Sequence, residues 1–315
     1  MQKQHLVALC VGFLCLSGGL FWAVRYEQSP LKGEKKDSKI AVICTTSLIF
    51  DVVQRLGGER IEARALMGPG VDPHLYRARE GDIHALIAAD IIFYNGLHLE
   101  GKMGDLLAKM GSRARVVAVS DCIPKDQLRS SEFVGICDPH IWHDVALWAQ
   151  VVQFVGEQLG SYAPEHATYF ISNADAYLQE LSQLEEWMQK AIATIPMAQR
   201  VLVTAHDAFG YFGASYGFEV VGLQGMSTDA EVGTKDMTDL VSFLVSRRVP
   251  VIFIESSISQ RNIEAVQKGC AFRGWPIKIG DELFSDALSD DGGPASTYVD
   301  MMKHNVKAMI EGLAS

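Results

Sequence analysis

No two of the six cysteines in this chain have metal-ligand spacing, which excludes a zinc-finger clip or a cysteine cluster as its organising chemistry. Positive charge is also short. Lys and Arg total 28 against 38 Asp and Glu, a formal charge of −10, which argues against a nucleic-acid backbone as partner, since that would call for a basic patch. Such a balance is compatible with a cation as ligand. One catalytic signature is missing: the His-Glu-x-x-His helix of a metallopeptidase. There is no short-period repeat, and the recurrence of Asp-Pro-His at Asp72 and Asp138 is too brief to mark a duplication.

What is present begins with an export segment. Leu6 to Val24 is an almost wholly apolar run between Lys3 and Arg25, which reads as a signal peptide or signal-anchor over residues 1–28. The run is near the lower limit for spanning a bilayer, and no clean Ala-x-Ala cleavage site follows. Cys10 and Cys15 lack the small residue expected before a lipidated cysteine, so a lipoprotein is not favoured. Residues 29–38 form a polar, solvated tether. Outside the cytoplasm disulfides are permitted. Cys122 and Cys137 flank a loop-rich stretch and are the natural pair, with four free thiols (Cys44, Cys122, Cys137 and Cys270) as the alternative.

The rest of the 315 residues, in a chain 48% hydrophobic and 21% charged, is ample for a packed core and about two domains. Short β-rich runs at Ile40–Cys44, Ile91–Tyr94 and Val116–Val119 alternate with helical stretches at Leu48–Leu56, capped from Thr45-Thr46-Ser47, and at Glu80–Ala89. This order predicts an α/β fold with mainly parallel sheets. In residues 163–195, Pro164 near the start and Pro196 just after the end bracket about thirty positions without an internal Pro or Gly. Tyr169, Ala176, Leu181, Leu184, Met188 and Ile192 recur there at helical spacing, which predicts one long helix. Strands resume at Val201–Thr204, Val251–Ile254 and Pro276–Ile279, and a helix closes the chain from Thr297 to Leu313. The expected organisation is a lobe over 39–162, a rigid linking helix over 163–195 and a second lobe over 196–315.

Three histidines fall in loop-like settings near probable strand ends: His74 in Asp-Pro-His-Leu-Tyr, His140 in Asp-Pro-His-Ile-Trp-His, and His206 in Thr-Ala-His-Asp-Ala-Phe. In each Asp-Pro-His the proline fixes its own φ and pushes the preceding Asp to an extended conformation, so the imidazole stands on a stiff turn. Asp286, framed by Leu283, Phe284, Ala287 and Leu288, stands out from an otherwise solvated acidic run. Ligands bind beyond the carboxyl ends of parallel strands. Two such edges facing each other would bring three neutral imidazoles and a carboxylate into one cleft, a site for zinc, manganese or iron. Four further residues are carried as supporting candidates. Glu255 follows an apolar strand and suits either a ligand or a hydrogen-bond partner to a ligand histidine. His98 sits after a strand near the expected cleft. His143 suits a surface or supporting role, and Asp207 a helix N-cap. His84, His166 and His304 read as exposed helical residues.

These segments resemble the metal-binding receptors of bacterial ABC importers, the cluster of zinc, manganese and iron binders, and most of all its TroA-type branch. The resemblance is carried by Leu-Met-Gly-Pro-Gly-Val-Asp-Pro-His-Leu-Tyr (66–76), Tyr-Asn-Gly-Leu-His-Leu-Glu (94–100), Asp-Pro-His-Ile-Trp (138–142), Val-Thr-Ala-His-Asp-Ala-Phe-Gly-Tyr-Phe (203–212) and Glu-Leu-Phe-Ser-Asp (282–286). It spans roughly residues 39 to 315. It implies two α/β lobes joined by one long helix and one metal ion held by His74, His140, His206 and Asp286. It also implies a monomeric extracytoplasmic receptor that hands its ion to a permease driven by a cytoplasmic ATPase. The sequence lacks the long His- and Asp-rich loop of many zinc receptors, and it has His206 where manganese receptors typically carry Glu. Three imidazoles favour zinc by intrinsic affinity, with manganese and iron open. The rival readings are an exported zinc-dependent hydrolase and an adhesin with a structural metal.

Overall fold

The computed structural model describes residues 39–130 and 135–314. The expected export segment and tether lie outside the described residues. The chain begins with β1 (Ile40–Cys44), α1 (Ser47–Gly57), β2 (Ile61–Ala65), α2 (Glu80–Ala88), β3 (Ile91–Tyr94), α3 (Gly104–Met110) and β4 (Arg115–Ala118). These strands form one all-parallel sheet in the order β2-β1-β3-β4. Every β1 residue except Ala41 is buried, which is why the strand reads as a continuous apolar run: helices cover both faces of such a sheet. The α1 helix starts where the sequence suggests. Thr46 is its N-cap, with Oγ1 accepting from the Ile49 N–H at 3.3 Å. It ends at Gly58, whose φ of 49° is open to glycine without a Cβ penalty.

Next come α4 (Val145–Tyr162) and α5 (Ala167–Ile192). The α4 helix has no counterpart in the sequence reading. It is rich in Val, Leu and Trp and buried on more than one side, so the amphipathic period is blurred, and its Val residues are weak helix formers that packing overrides. Its N-cap is Asp144, accepting from the Leu147 N–H at 2.9 Å. The α4 and α5 helices approach closely where glycine meets alanine. A Cβ on Gly156 would lie 3.2 Å from the Ala174 Cβ, and one on Gly160 would lie 3.2 Å from the Ala167 Cβ.

The long helix is present, opened by a 3-10 turn at Pro164–His166, but its first half is rotated from the expected register. The buried stripe is Phe170, Ala174, Tyr177, Leu181, Leu184, Met188 and Ile192; Ala176 is exposed and Tyr169 only half-buried. Ala176 is too small to choose a face, and Phe170 and Tyr177 have more area to bury, each worth about 1.5–3 kcal/mol.

The remaining elements are β5 (Val201–His206), α6 (Gly210–Tyr216), β6 (Glu219–Gln224), α7 (Thr234–Arg247), β7 (Val251–Glu255), α8 (Arg261–Phe272), β8 (Lys278–Leu283) and α9 (Tyr298–Leu313). The parallel pairs β5-β6 and β7-β8 lie with β5 beside β7. The β8 strand starts two residues later than expected. Pro276 has no N–H for a ladder, and the Lys278 N–H makes the first bond, to the Pro250 carbonyl at 2.9 Å. One apolar core runs without interruption from Val42 on β1 through Leu48, Trp148 and the whole α5 stripe to Phe212, Phe253 and Val306. Two smaller clusters fill the outer layers, one under α2 and α3, the other under α7 and α8.

Cys44, Cys122, Cys137 and Cys270 are all free thiols, so the Cys122–Cys137 pair is not formed. The Cys122 Sγ instead faces the Val119 carbonyl at 3.2 Å and packs on the main core. His84 is exposed as expected, but His166 and His304 are half-buried. The His304 Nε2 lies 2.9 Å from the Glu282 carbonyl and tethers α9 to β8. Among the described residues no helix is long and apolar enough to cross a membrane. The α5 register makes a simple prediction. Phe170→Ala should lower stability by about 3–5 kcal/mol, whereas Ala176→Ser should stay within about 0.5 kcal/mol, both read by equilibrium urea unfolding.

Candidate metal centre

His74, His140, His206 and Asp286 converge from four distant parts of the chain, with one ligating atom from each lying within 4.8 Å of all the others. The three rings sit 5.3 to 5.8 Å apart between centroids. The Nε2 atoms of His74 and His140 are 3.3 Å apart. The Asp286 Oδ2 lies 3.3 Å from the His206 Nε2, and Oδ1 lies 3.7 Å from the His140 Nε2. Ligands about 2.0–2.1 Å from one ion at tetrahedral angles are about 3.3 Å apart, so these separations already suit a shared cation.

Each donor is placed by its own local device. In both Asp-Pro-His turns the Asp carboxylate accepts the histidine N–H two residues on, at 2.9 Å for Asp72 and His74 and at 3.0 Å for Asp138 and His140. Asp138 goes further: its Oδ1 also lies 2.8 Å from the His140 Nδ1 and so turns Nε2 inward. His206 ends β5. Its N–H donates to the Glu255 Oε1 at 2.8 Å, and its Nδ1 faces Oε2 at 2.6 Å. Glu255 ends the adjacent β7, so two neighbouring strand ends make one rigid unit. The Asp286 loop is fixed by the Trp142 Nε1, which donates to the Ser285 carbonyl at 2.7 Å, and by Asn305, which bonds both the N–H and the carbonyl of Phe284.

The Asn-Gly-Leu-His-Leu-Glu segment is a buttress. Its buried Glu100 accepts from the Thr45 hydroxyl at 2.6 Å and from the Asn95 N–H at 2.7 Å, joining the ends of β1 and β3. The Asn95 side chain then donates to the Pro139 carbonyl at 3.0 Å, directly before His140. Gly96, Leu97 and His98 all have positive φ, which costs about 1–2 kcal/mol at each non-glycine position. This backbone excursion brings Glu100 back beneath the strand ends.

The other supporting candidates resolve differently. His98 is exposed and lines a neighbouring cavity, not the cluster. His143 is fully buried against Phe209, ring centroids 4.3 Å apart, and neither ring nitrogen has a hydrogen-bond partner. Asp207 does not cap α6, which begins three residues later with Phe209 in the N-cap position. The supporting roles of Thr45, Asn95 and Glu100 and the ring contact of Asp138 were absent from the sequence reading. For Asp138 the signal was the Asx-turn potential of Asp before Pro-His; Asn95 and Glu100 were marked only by lying in the 94–100 segment.

All four convergent residues are buried; His140 and His206 are 0% exposed. Both Asp286 oxygens and the His206 Nε2 lack any hydrogen-bond partner. Buried polar atoms left unmatched are costly and rare. Burial holds His74 neutral, its pKa lowered to about 3. Burial also opposes charge on His206, but the carboxylates of Glu255 and Asp286 outweigh it and hold that imidazole well above its usual range. For Asp286, burial acts upward and is overcome by His206, His140 and His74, leaving the carboxyl well below its usual range. The chemistry is that of a cation site: a negative, buried nest of inward-facing polar atoms, with a proton on His206 where an ion would add its charge.

The same strand ends and donor set define a class, the two-lobed α/β metal receptors. The chain belongs to the family described as zinc-uptake complex component A, periplasmic, which it matches over residues 42–312. It is 43% identical over 281 residues to the manganese-binding lipoprotein MntA of Bacillus subtilis, covering 89% of this chain and 92% of that relative. The solved structure of the periplasmic zinc-binding protein TroA from Treponema pallidum superposes with a TM-score of 0.86 at 45% identity, covering 88% of this chain and all of that one. The Fe(III)-bound YtgA structure from Chlamydia trachomatis gives a TM-score of 0.77 at 28% identity, covering 87% and 98%. Members of this family are substrate-binding proteins rather than enzymes.

The electrostatics make a prediction for the metal-free protein. Because Glu255 is a principal cause of the raised His206 pKa, Glu255→Gln should move that titration down toward the ordinary histidine range. Histidine ring NMR across a pH series would read the shift, and an unmoved His206 resonance would refute the pairing.

Proposed function

We propose that this chain is the extracytoplasmic receptor of an ABC importer. It captures one transition-metal ion as cargo through His74, His140, His206 and Asp286 and passes it to a membrane permease powered by a cytoplasmic ATPase. The observation that carries this reading is the buried nest of four convergent donors with unmatched polar atoms. A solvated structural role gives no reason for those atoms to face one another unpaired, and a cation satisfies them together. The relatives point the same way: MntA is a manganese-binding lipoprotein, TroA a zinc-binding protein, and YtgA is known with Fe(III) bound. Three imidazoles and one carboxylate rank zinc first by intrinsic affinity, with iron and manganese admitted by availability and geometry. Four protein ligands fill a tetrahedral set, so the site lacks the open position that a catalytic zinc keeps for water.

In this reading the lobes are residues 39–162 and 196–315, with 163–195 between them, and the receptor works as an exported monomer. The core shared across α5 supports modest tilting of the lobes rather than wide closure. Relatives named as lipoproteins support attachment on the outer side of the cytoplasmic membrane.

Capture exchanges a proton for an ion. His74, neutral above about pH 3, is ready to bind. His206, held protonated by its carboxylates, must release its proton first. Affinity should therefore rise with pH through the His206 titration and fall as pH drops. Calorimetric titration of the metal-free protein with zinc, in two buffers of different ionisation enthalpy, should show one tight equivalent and net proton release. His140→Ala and Asp286→Ala should each weaken binding by more than the roughly 10–100-fold that loss of a supporting hydrogen bond costs. If both variants keep wild-type affinity, the ligand assignment is wrong.

A further inference from the structure

Of the four ligands, His74 is anchored differently from the rest. The rings of His140 and His206 are each backed by a carboxylate on Nδ1, at 2.8 Å and 2.6 Å. The Asp286 loop is held on both sides by Trp142 and Asn305. Among the described residues no side chain bonds to the His74 Nδ1. What fixes this arm is its backbone, through the N–H donated to the Asp72 Oδ1 at 2.9 Å. His74 is also the member of the set that forms part of the wall of a cavity of about 880 Å³, shared with Asp207, Met226, Ser227 and Asp229.

The second oxygen of Asp72 is engaged as well. Oδ2 accepts from the Thr228 hydroxyl at 2.6 Å, across 156 residues of chain. Thr228 is buried, at 8% exposure, in the connection between β6 and α7 that borders the cavity. The neighbouring Asp229 pairs with Lys102 at 2.7 Å, but that pair is partly exposed and of the kind worth little. A hydroxyl donating to a half-buried carboxylate is the stronger contact.

We propose that Thr228 is a positioning residue for metal retention: it fixes Asp72, Asp72 fixes the His74 arm, and the 225–233 connection thereby latches the ligand that faces the cavity. This rests on the reading of His74 as a ligand. The latch spans elements far apart in sequence, so its release frees one ligand while Glu255 and Asp138 still hold the other two imidazoles. That is the order a receptor needs in order to hand over an ion without unfolding its site.

The test loads the full exported protein with zinc and measures release into excess chelator. Thr228→Val keeps the side-chain shape and removes the hydroxyl; it should release zinc about tenfold faster, the size expected for one lost hydrogen bond to a charged group. Thr228→Ser should restore the wild-type rate, and Lys102→Met should stay within about twofold. With cobalt(II) in place of zinc, Thr228→Val should shift the visible ligand-field band, while the melting temperature of the metal-free form stays near wild type. A purely structural role would move the melting temperature and leave the band in place. Equal release from Thr228→Val and wild type overturns the latch. So does release from Thr228→Ser as fast as from Thr228→Val, or a tenfold effect of Lys102→Met. If Thr228→Val does not fold, Asp72→Asn carries the test, with faster release expected and an unchanged rate against the proposal. A wild-type protein that binds no zinc refutes the receptor reading itself, a result distinct from tight binding with an indifferent Thr228.

Discussion

Inward-facing polar atoms in a buried site are the constraint on which the rest of this structure depends. Three imidazole nitrogens and a carboxylate sit within 4.8 Å of one another, where the protein gives neither Asp286 oxygen nor the His206 Nε2 a hydrogen bond. Such a nest survives folding only if stiff elements hold it. The chain supplies them at the ends of its parallel strands. Asp-Pro-His turns close on their own N–H groups, Glu255 clamps His206 from the next strand, and the Glu100 buttress ties β1 and β3 to the loop that carries His140.

The electrostatics follow from the same geometry. The carboxylates Glu255 and Asp286 keep a proton on His206, and burial keeps His74 neutral. In the proposed reading one proton balances the metal-free site and an ion displaces it, which ties cargo affinity to pH. The unbroken core through α5 makes large opening costly, since it would expose packed aromatic area. In the proposed reading small movements at a loosely backed ligand are a cheaper way to exchange the ion, and His74, with no side chain bonded to its Nδ1 among the described residues and a place in the cavity wall, is that ligand.

Legibility was uneven for physical reasons. His74 and His140 stood out because Asp-Pro-His is a local turn with a local logic. The strands β1, β3, β5 and β7 stood out because burial on both faces makes continuous apolar runs. The α4 helix was invisible because burial on several sides erases its period, and the first half of α5 was misaligned because Ala176 carries little information about facing. His98 and Asp207 looked available from their neighbours. One was carried away from the cluster by left-handed backbone at Leu97 and His98, and the other sits ahead of the helix start it was expected to cap. Neither event has a sequence signal at that range.

The sequence by itself determined the residue types, the stiff turns and the parallel α/β class, because these depend on φ restriction, side-chain period and strand-end placement within a few residues. Only the tertiary structure decided which residues meet. That Glu255 backs His206, that Glu100 buttresses His140 through Asn95, and that Thr228 reaches Asp72 are matters of contacts between segments far apart in the chain. Such contacts are set by how helices and sheets pack around a shared core, and packing depends on the whole chain at once.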